Sequence, residues 1–236
     1  MLAYVNPPLR RNYFAGLWLL WAALLFGGFL FGPADPYGRM PLWTRITSSI
    51  ILVITGWSWY ALYRAHPRSR ALLLLAVGMT CGLLGDLILA GLLPGGRSVL
   101  GGITAFGVGH IFYIMAALRL GKPRPLALSI WLLLGLVGWY LMVFHGQDAG
   151  VLHWAALPYA LLLASTAGFA TCLLAQDRLY LLFAIGAALF FLSDLILAGS
   201  LFSGLQFRLI DDVIWLTYGP GQMLIVWTAS VILREK

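Results

Sequence analysis

A chain of 236 residues that is 61% hydrophobic and 10% charged, with a mean hydropathy of +0.91, is excluded from the ordinary water-soluble domains. Its formal net charge of +7 does not point to nucleic acid, because the basic residues stand in short loops beside apolar runs, where membrane topology accounts for them. The two cysteines, Cys81 and Cys172, lie inside apolar runs without a C-x-x-C pair and read as small apolar side chains.

Taken in chain order, Arg10 and Arg11 precede an apolar run from Phe14 to Phe31. The pair resembles the start of a signal peptide. The run is long, however, and no Ala-x-Ala-like site precedes Pro33, so a retained first helix is expected. Turn-forming strings then divide the chain: Gly32 to Pro36, Arg64 to Arg68, Pro94 to Arg97, Gly121 to Pro125, His145 to Asp148, Gln176 to Arg178, and Ser203-Gly204. Between them, helices are predicted over 14–32, 46–63, 71–93, 98–118, 126–144, 151–175, 179–202 and 211–233. Each can cross a hydrocarbon core of about 30 Å. No strand alternation is visible. The predicted fold is one all-α integral membrane domain of eight transmembrane helices.

The third and seventh segments share a six-residue string, Asp86-Leu-Ile-Leu-Ala-Gly91 and Asp194-Leu-Ile-Leu-Ala-Gly199, 108 positions apart. Phe106-Gly-Val-Gly-His110 follows the first copy and Tyr218-Gly-Pro-Gly-Gln222 the second, with His110 and Gln222 112 positions apart. Segments four spans apart cross in the same direction, so the pattern predicts two parallel repeats, roughly 1–120 and 121–236. With eight spans, one side would carry Arg10, Arg11, Arg64, Arg68, Arg70, Arg119, Lys122, Arg124, Arg178, Arg234 and Lys236. The other would hold only Arg39, Arg45, Arg97 and Arg208. This asymmetry predicts both termini in the cytoplasm, a multi-pass protein of a bacterial cytoplasmic membrane, and both aspartates in the outer half of the bilayer.

Carboxyls at such depth are expensive and usually functional. Gly78, Gly82 and Ala90 lie at multiples of four from Asp86, and Gly186 and Ala198 do so from Asp194, so both carboxyls are expected to face neighbouring helices. His110 and Tyr113 share a face of the fourth helix, and Tyr218 and Gln222 a face of the eighth. Pro220 frees the carbonyl of Leu216, and freed backbone at this depth needs protein or a watered cavity. These groups are expected to converge on one pocket, with His110 facing Gln222. Each also has a plainer reading as a link between helices. Ser193 is expected to bond back to its own helix, and Asp211 and Asp212 to cap the eighth.

Two carboxyls in one buried site resist ionising together, so one can hold a proton while its partner is charged. That is the equipment for acid–base hydrolysis through an oxocarbenium ion. A vinyl ether meets the same chemistry: protonation of its β-carbon puts positive charge on the carbon attached to oxygen. A catalytic zinc is not expected, since only His110 is deep and no His-x-x-x-His occurs. No phosphate loop, nucleophile elbow or dinucleotide fingerprint is present.

Gly85-Asp86, Phe106-Gly-Val-Gly-His110-Ile-Phe-Tyr113, Ser193-Asp194 and Tyr218-x-x-x-Gln222 together resemble the YhhN-type lysoplasmalogenases, from the third helix to the eighth. The first two helices match only by hydropathy. The resemblance implies eight spans and hydrolysis of the vinyl ether bond of lysoplasmalogens. The products would be a fatty aldehyde and a glycerophospho-ethanolamine or -choline. It places the two acidic positions on Asp86 and Asp194; His110, Tyr113, Ser193, Tyr218 and Gln222 are expected to bind or orient the substrate, and no cofactor is expected. The expected partners are a lysophospholipid and membrane lipids. One departure is Gly219-Pro220, where the family usually has an aromatic after the tyrosine. A proton-coupled small-molecule or lipid transporter, or a hydrolase of another lysolipid bond, remain open as alternatives, as do head group and oligomeric state.

Overall fold

The computed structural model describes residues 7–33, 35–144 and 150–233. Among them are eight α-helices and no strand: α1 (Pro7–Phe31), α2 (Leu42–Leu62), α3 (Ser69–Leu89), α4 (Val99–Leu120), α5 (Pro125–Trp139), α6 (Val151–Leu174), α7 (Leu181–Phe202) and α8 (Ile210–Ile232). A π-helical turn, Tyr140–Phe144, extends α5, and a 3₁₀ turn, Arg178–Tyr180, leads into α7. Of the strings used to place loops and sidedness, His145 to Asp148, Arg234 and Lys236 lie outside the described residues.

Local chemistry sets the helix ends. The Ser98 hydroxyl accepts from the Gly101 N–H at 3.0 Å and caps α4. Pro125 opens α5, where its missing N–H costs nothing. At the other end of α3, Gly91 adopts φ +71° while the Leu92 N–H reaches the Leu87 carbonyl at 3.0 Å. This Schellman closure stops the helix at Leu89, four residues short of the predicted end.

Six helical segments are long and apolar enough to cross a membrane: α1, α3, α4, α5 with its π-turn, α6, and α7 with its 3₁₀ turn. The two that fall short of eight, α2 and α8, hold Arg45, Thr47, Ser48 and Ser49, and Asp211, Asp212, Thr217 and Gln222 respectively. Their polarity is turned inward: Ser48, Ser49, Asp212 and Gln222 are all buried.

Each helix packs on its chain neighbour within α1–α4 and within α5–α8. Across those groups α4 meets α6, and α8 meets α1, α2 and α3. Two helix pairs meet backbone on backbone. A Cβ at Gly109 would stand 2.9 Å from the Gly78 carbonyl oxygen, joining α4 to α3. Cβ atoms at Gly186 and Gly221 would stand 2.8 Å and 2.9 Å from each other's carbonyl oxygens, joining α7 to α8. Only glycine allows this approach. The two pairs are again 108 and 112 positions apart.

At one end of the bundle the α1–α2 loop is tied to the start of α8. The Leu209 N–H donates to the Pro36 carbonyl at 3.0 Å and the Asp211 N–H to the Tyr37 carbonyl at 2.9 Å. Asp211 and Asp212 are not the expected caps. Asp212 accepts from the Arg39 and Met40 N–H groups at 2.6 and 2.9 Å. Its carboxylate holds a loop distant in sequence instead of its own helix.

Candidate functional site

Asp86 is carried by α3 and Asp194 by α7, and both open onto a single cleft of about 190 Å³ at the tied end of the bundle. Asp86 is 6% exposed. Its Oδ2 accepts from the Ser49 hydroxyl of α2 at 2.7 Å and from the Tyr218 hydroxyl of α8 at 3.1 Å. Asp194 is half-buried and its Oδ2 accepts a hydrogen bond from the Tyr159 hydroxyl of α6. Each carboxyl is thus anchored through one oxygen. No protein donor among the described residues reaches the Oδ1 of either.

Tyr218 is aimed by a cage of edge-on rings. Its ring centroid lies 5.1 Å from Phe190, 5.2 Å from Trp215 and 6.1 Å from Phe106. Behind it the Gln222 amide donates to the Tyr218 hydroxyl at 3.3 Å and accepts from the Tyr113 hydroxyl at 3.0 Å. A chain of polar groups therefore runs from Tyr113 on α4 through α8 to Asp86 on α3. Gly219 is explained by α1: a Cβ there would stand 2.8 Å from the side chain of Leu25, which is fully buried.

Of the residues singled out from the sequence, Asp86, Asp194, Ser193 and Tyr218 line the cleft. Tyr113 and Gln222 stand one layer behind. His110 does not face Gln222, and it is not among the residues lining the cleft. Its Nδ1 pairs with the Thr166 hydroxyl of α6 at 3.0 Å, and its ring packs 4.7 Å from Phe190. Helix rotation decides this: Tyr113, three residues on, takes the position toward α8 while His110 turns toward α6. Ser193 does not bond back to its own helix. It donates to the Ile214 carbonyl at 3.0 Å and stitches α7 to α8.

Sequence reasoning missed Ser49, Tyr159, Arg45 and Arg97. The hydroxyl string Thr47-Ser48-Ser49 inside an apolar run was a usable signal, and so was Tyr159 beside the mid-helix Pro158. Arg45 and Arg97 had been counted only as topology markers, yet both line the cleft.

A second, smaller cavity of about 60 Å³ lies among α4, α5, α6 and α7. Its walls are apolar or small, including Gly138, Ala160, Ala198 and Phe202. Asp194 and Leu197 belong to both cavities. Asp194 therefore stands where a polar cleft meets an apolar groove.

Long apolar helices around a cleft that bears two carboxyls define a multi-pass helical membrane protein. Residues 41–229 match the model of the YhhN family, and the chain belongs to that family. The match reaches back through α2, beyond the motifs of α3 to α8. No curated protein and no solved structure matches the chain.

Proposed function

We propose that the protein is an intramembrane hydrolase of lysoplasmalogens, cleaving the vinyl ether to a fatty aldehyde and a glycerophospholipid. The observation that carries this reading is that Asp86 and Asp194 open onto one cleft, each with an oxygen that no donor among the described residues claims. Membership of the YhhN family supports it. In this reading all eight helices span the bilayer as two parallel halves, and the repeated spacing of the Gly78–Gly109 and Gly186–Gly221 contacts supports that symmetry. Both termini lie in the cytoplasm and the cleft opens outward.

The two cavities support different roles for the carboxyls. The alkenyl chain lies in the apolar groove and the glycerol in the cleft, so the vinyl ether sits beside Asp194. Asp194 gives its proton to the β-carbon, which lies on the chain side, and positive charge appears on the carbon bound to oxygen. Asp86, held by the hydroxyls of Ser49 and Tyr218, is the carboxylate that takes a proton from the attacking water. A hemiacetal results. As it collapses, its hydroxyl proton passes to Asp194 and Asp86 protonates the departing glycerol oxygen. Aldehyde and alcohol leave, and both carboxyls regain their starting protons.

The test is aldehyde release from a lysoplasmalogen by purified protein in nanodiscs. In D₂O the aldehyde is expected to carry one deuterium on the carbon next to the carbonyl. Asp86→Asn and Asp194→Asn are each expected to abolish turnover. Full activity in either variant, or equal cleavage of an ester lysolipid, overturns the reading.

A further inference from the structure

Four basic residues stand at the end of the bundle where the cleft opens: Arg39, Arg45, Arg97 and Arg208. Arg39 and Arg45 each lie 5.9 Å over a ring, of Phe29 and Trp215, and each has a buried Nε without a partner among the described residues. The Arg39 guanidinium, however, donates to the Leu30 carbonyl at 3.1 Å and is not among the residues lining the cleft. Arg45 and Arg97 instead line the cleft with the two catalytic candidates.

Arg45 is incompletely satisfied. Its side chain is 14% exposed, yet its nearest carboxylate oxygens are 3.7 Å away on Asp212 and 3.8 Å away on Asp211. Both distances exceed that of a hydrogen bond. Asp212 is already engaged by two backbone N–H groups, so it holds Arg45 without saturating it. The Nε of Arg45 is buried and has no hydrogen-bond partner among the described residues. A buried guanidinium donor left unmade is costly, and an arriving anion with two oxygens relieves it. Arg97 lies across the cleft, on the exposed α3–α4 loop, and forms no ion pair among the described residues. Asp211 completes the mouth, its side chain 49% exposed.

We propose that Arg45 and Arg97 bind the phosphodiester of a zwitterionic single-chain glycerophospholipid, and that Asp211 receives its ammonium group. Two guanidinium forks match the two free oxygens of a phosphodiester, and planar bidentate recognition is where arginine exceeds lysine. The carboxylate of Asp211 beside them repels the extra carboxylate of phosphoserine, and phosphoglycerol offers it no cation to receive. Selection is then for phosphocholine or phosphoethanolamine over phosphoglycerol or phosphoserine. The proposal rests on the hydrolase reading for the identity of the chain, but the head-group contacts stand independently of turnover.

The experiment measures binding of lipids that cannot be cleaved. The full protein in nanodiscs is titrated with 1-O-hexadecyl-lysophosphocholine, its phosphoglycerol counterpart and 1-O-hexadecylglycerol. The phosphocholine lipid is expected to bind at least about tenfold tighter than hexadecylglycerol, the gain of one or two charge-assisted hydrogen bonds. Arg97→Gln, on an exposed loop where folding is not at stake, is expected to bring that ratio to within about threefold. Asp211→Asn is expected to remove the preference for phosphocholine over phosphoglycerol while keeping the preference over hexadecylglycerol. Unchanged ratios in Arg97→Gln and Arg45→Gln overturn the proposal. Equal competition by millimolar inorganic phosphate also overturns it, since the seat would then be for a free anion. If head-group preference is found but no aldehyde is released, the hydrolase reading falls and the binding site stands.

Discussion

Ser49 on α2 and Asp86 on α3 are joined by a 2.7 Å hydrogen bond that lands on the same carboxylate oxygen as the bond from Tyr218. Two helices remote in sequence therefore fix one oxygen and leave the other to the cleft. A hydrogen bond to a charged group contributes about 1.5–3 kcal/mol. Ser49→Ala and Tyr218→Phe are each expected to lower kcat/KM for aldehyde release by about 10- to 100-fold, at roughly 1.4 kcal/mol per tenfold. Because both donors share Oδ2, the double variant is expected to lose less than the product of the two. Full additivity in steady-state kinetics would show that the donors act on separate groups.

Tyr159 gives Asp194 its one side-chain hydrogen bond, and His110 lies close by with its ring centroid 6.0 Å from that of Tyr159. The two make opposite predictions. Tyr159→Phe is expected to cut kcat by about tenfold or more while leaving the melting temperature nearly unchanged, since one hydroxyl is worth about 1 kcal/mol. His110→Ala is expected to lower the melting temperature, by a cavity cost of about 2–4 kcal/mol, with kcat/KM of the folded fraction preserved. Parallel thermal melts and kinetics decide; loss of kcat in His110→Ala at full stability would bring the histidine into the chemistry.

The groove predicts a chain-length effect. Ala198 and Gly138 line it beside Asp194, so Ala198→Phe fills the space that the proposed alkenyl chain would take. Substrates with long chains are expected to show a KM raised by about tenfold or more, and short-chain analogues a change of less than about threefold, because each excluded methylene is worth about 0.8 kcal/mol. A uniform rise across chain lengths would place the chain elsewhere.

Gly186 predicts a stability effect. A methyl there would overlap the Gly221 carbonyl and the Leu224 side chain, at 2.8 and 2.7 Å. Gly186→Ala is expected to destabilise by about 1–3 kcal/mol through overpacking, read as a lower melting temperature in detergent. Gly16, whose Cβ would meet nothing within 4 Å, serves as the control: Gly16→Ala is expected to be neutral or slightly stabilising.

Much of this was legible in the chain. Turn-forming strings placed all eight helices, because loops between apolar helices need Gly, Pro and charge, although α1 begins at Pro7, seven residues before the predicted start. The repeated Asp86 and Asp194 strings found the two carboxyls of one cleft, because an acid inside an apolar run is rare without a purpose. What escaped was rotation. Helical spacing puts His110 and Tyr113 on one face but does not say which of them α8 will meet. Donors such as Ser49 and Tyr159 come from helices whose approach depends on packing, so no local pattern marks them as partners of an aspartate. Arg45 and Arg97 escaped for another reason, since their role in topology already explained their presence.

Where Gly78 meets Gly109 and Gly186 meets Gly221, backbone approaches backbone, with the Tyr113 ring and the Leu224 side chain packed beside the contacts. The α3–α4 and α7–α8 hairpins are each closed by such a contact, and the seams between the hairpins are made differently. One such seam runs between α3 and α8, where hydroxyls and a carboxyl replace backbone contact. The joint between the two hairpins therefore passes through the polar cleft, and in the proposed reading a lipid entering the cleft bears on the contact that holds the halves together.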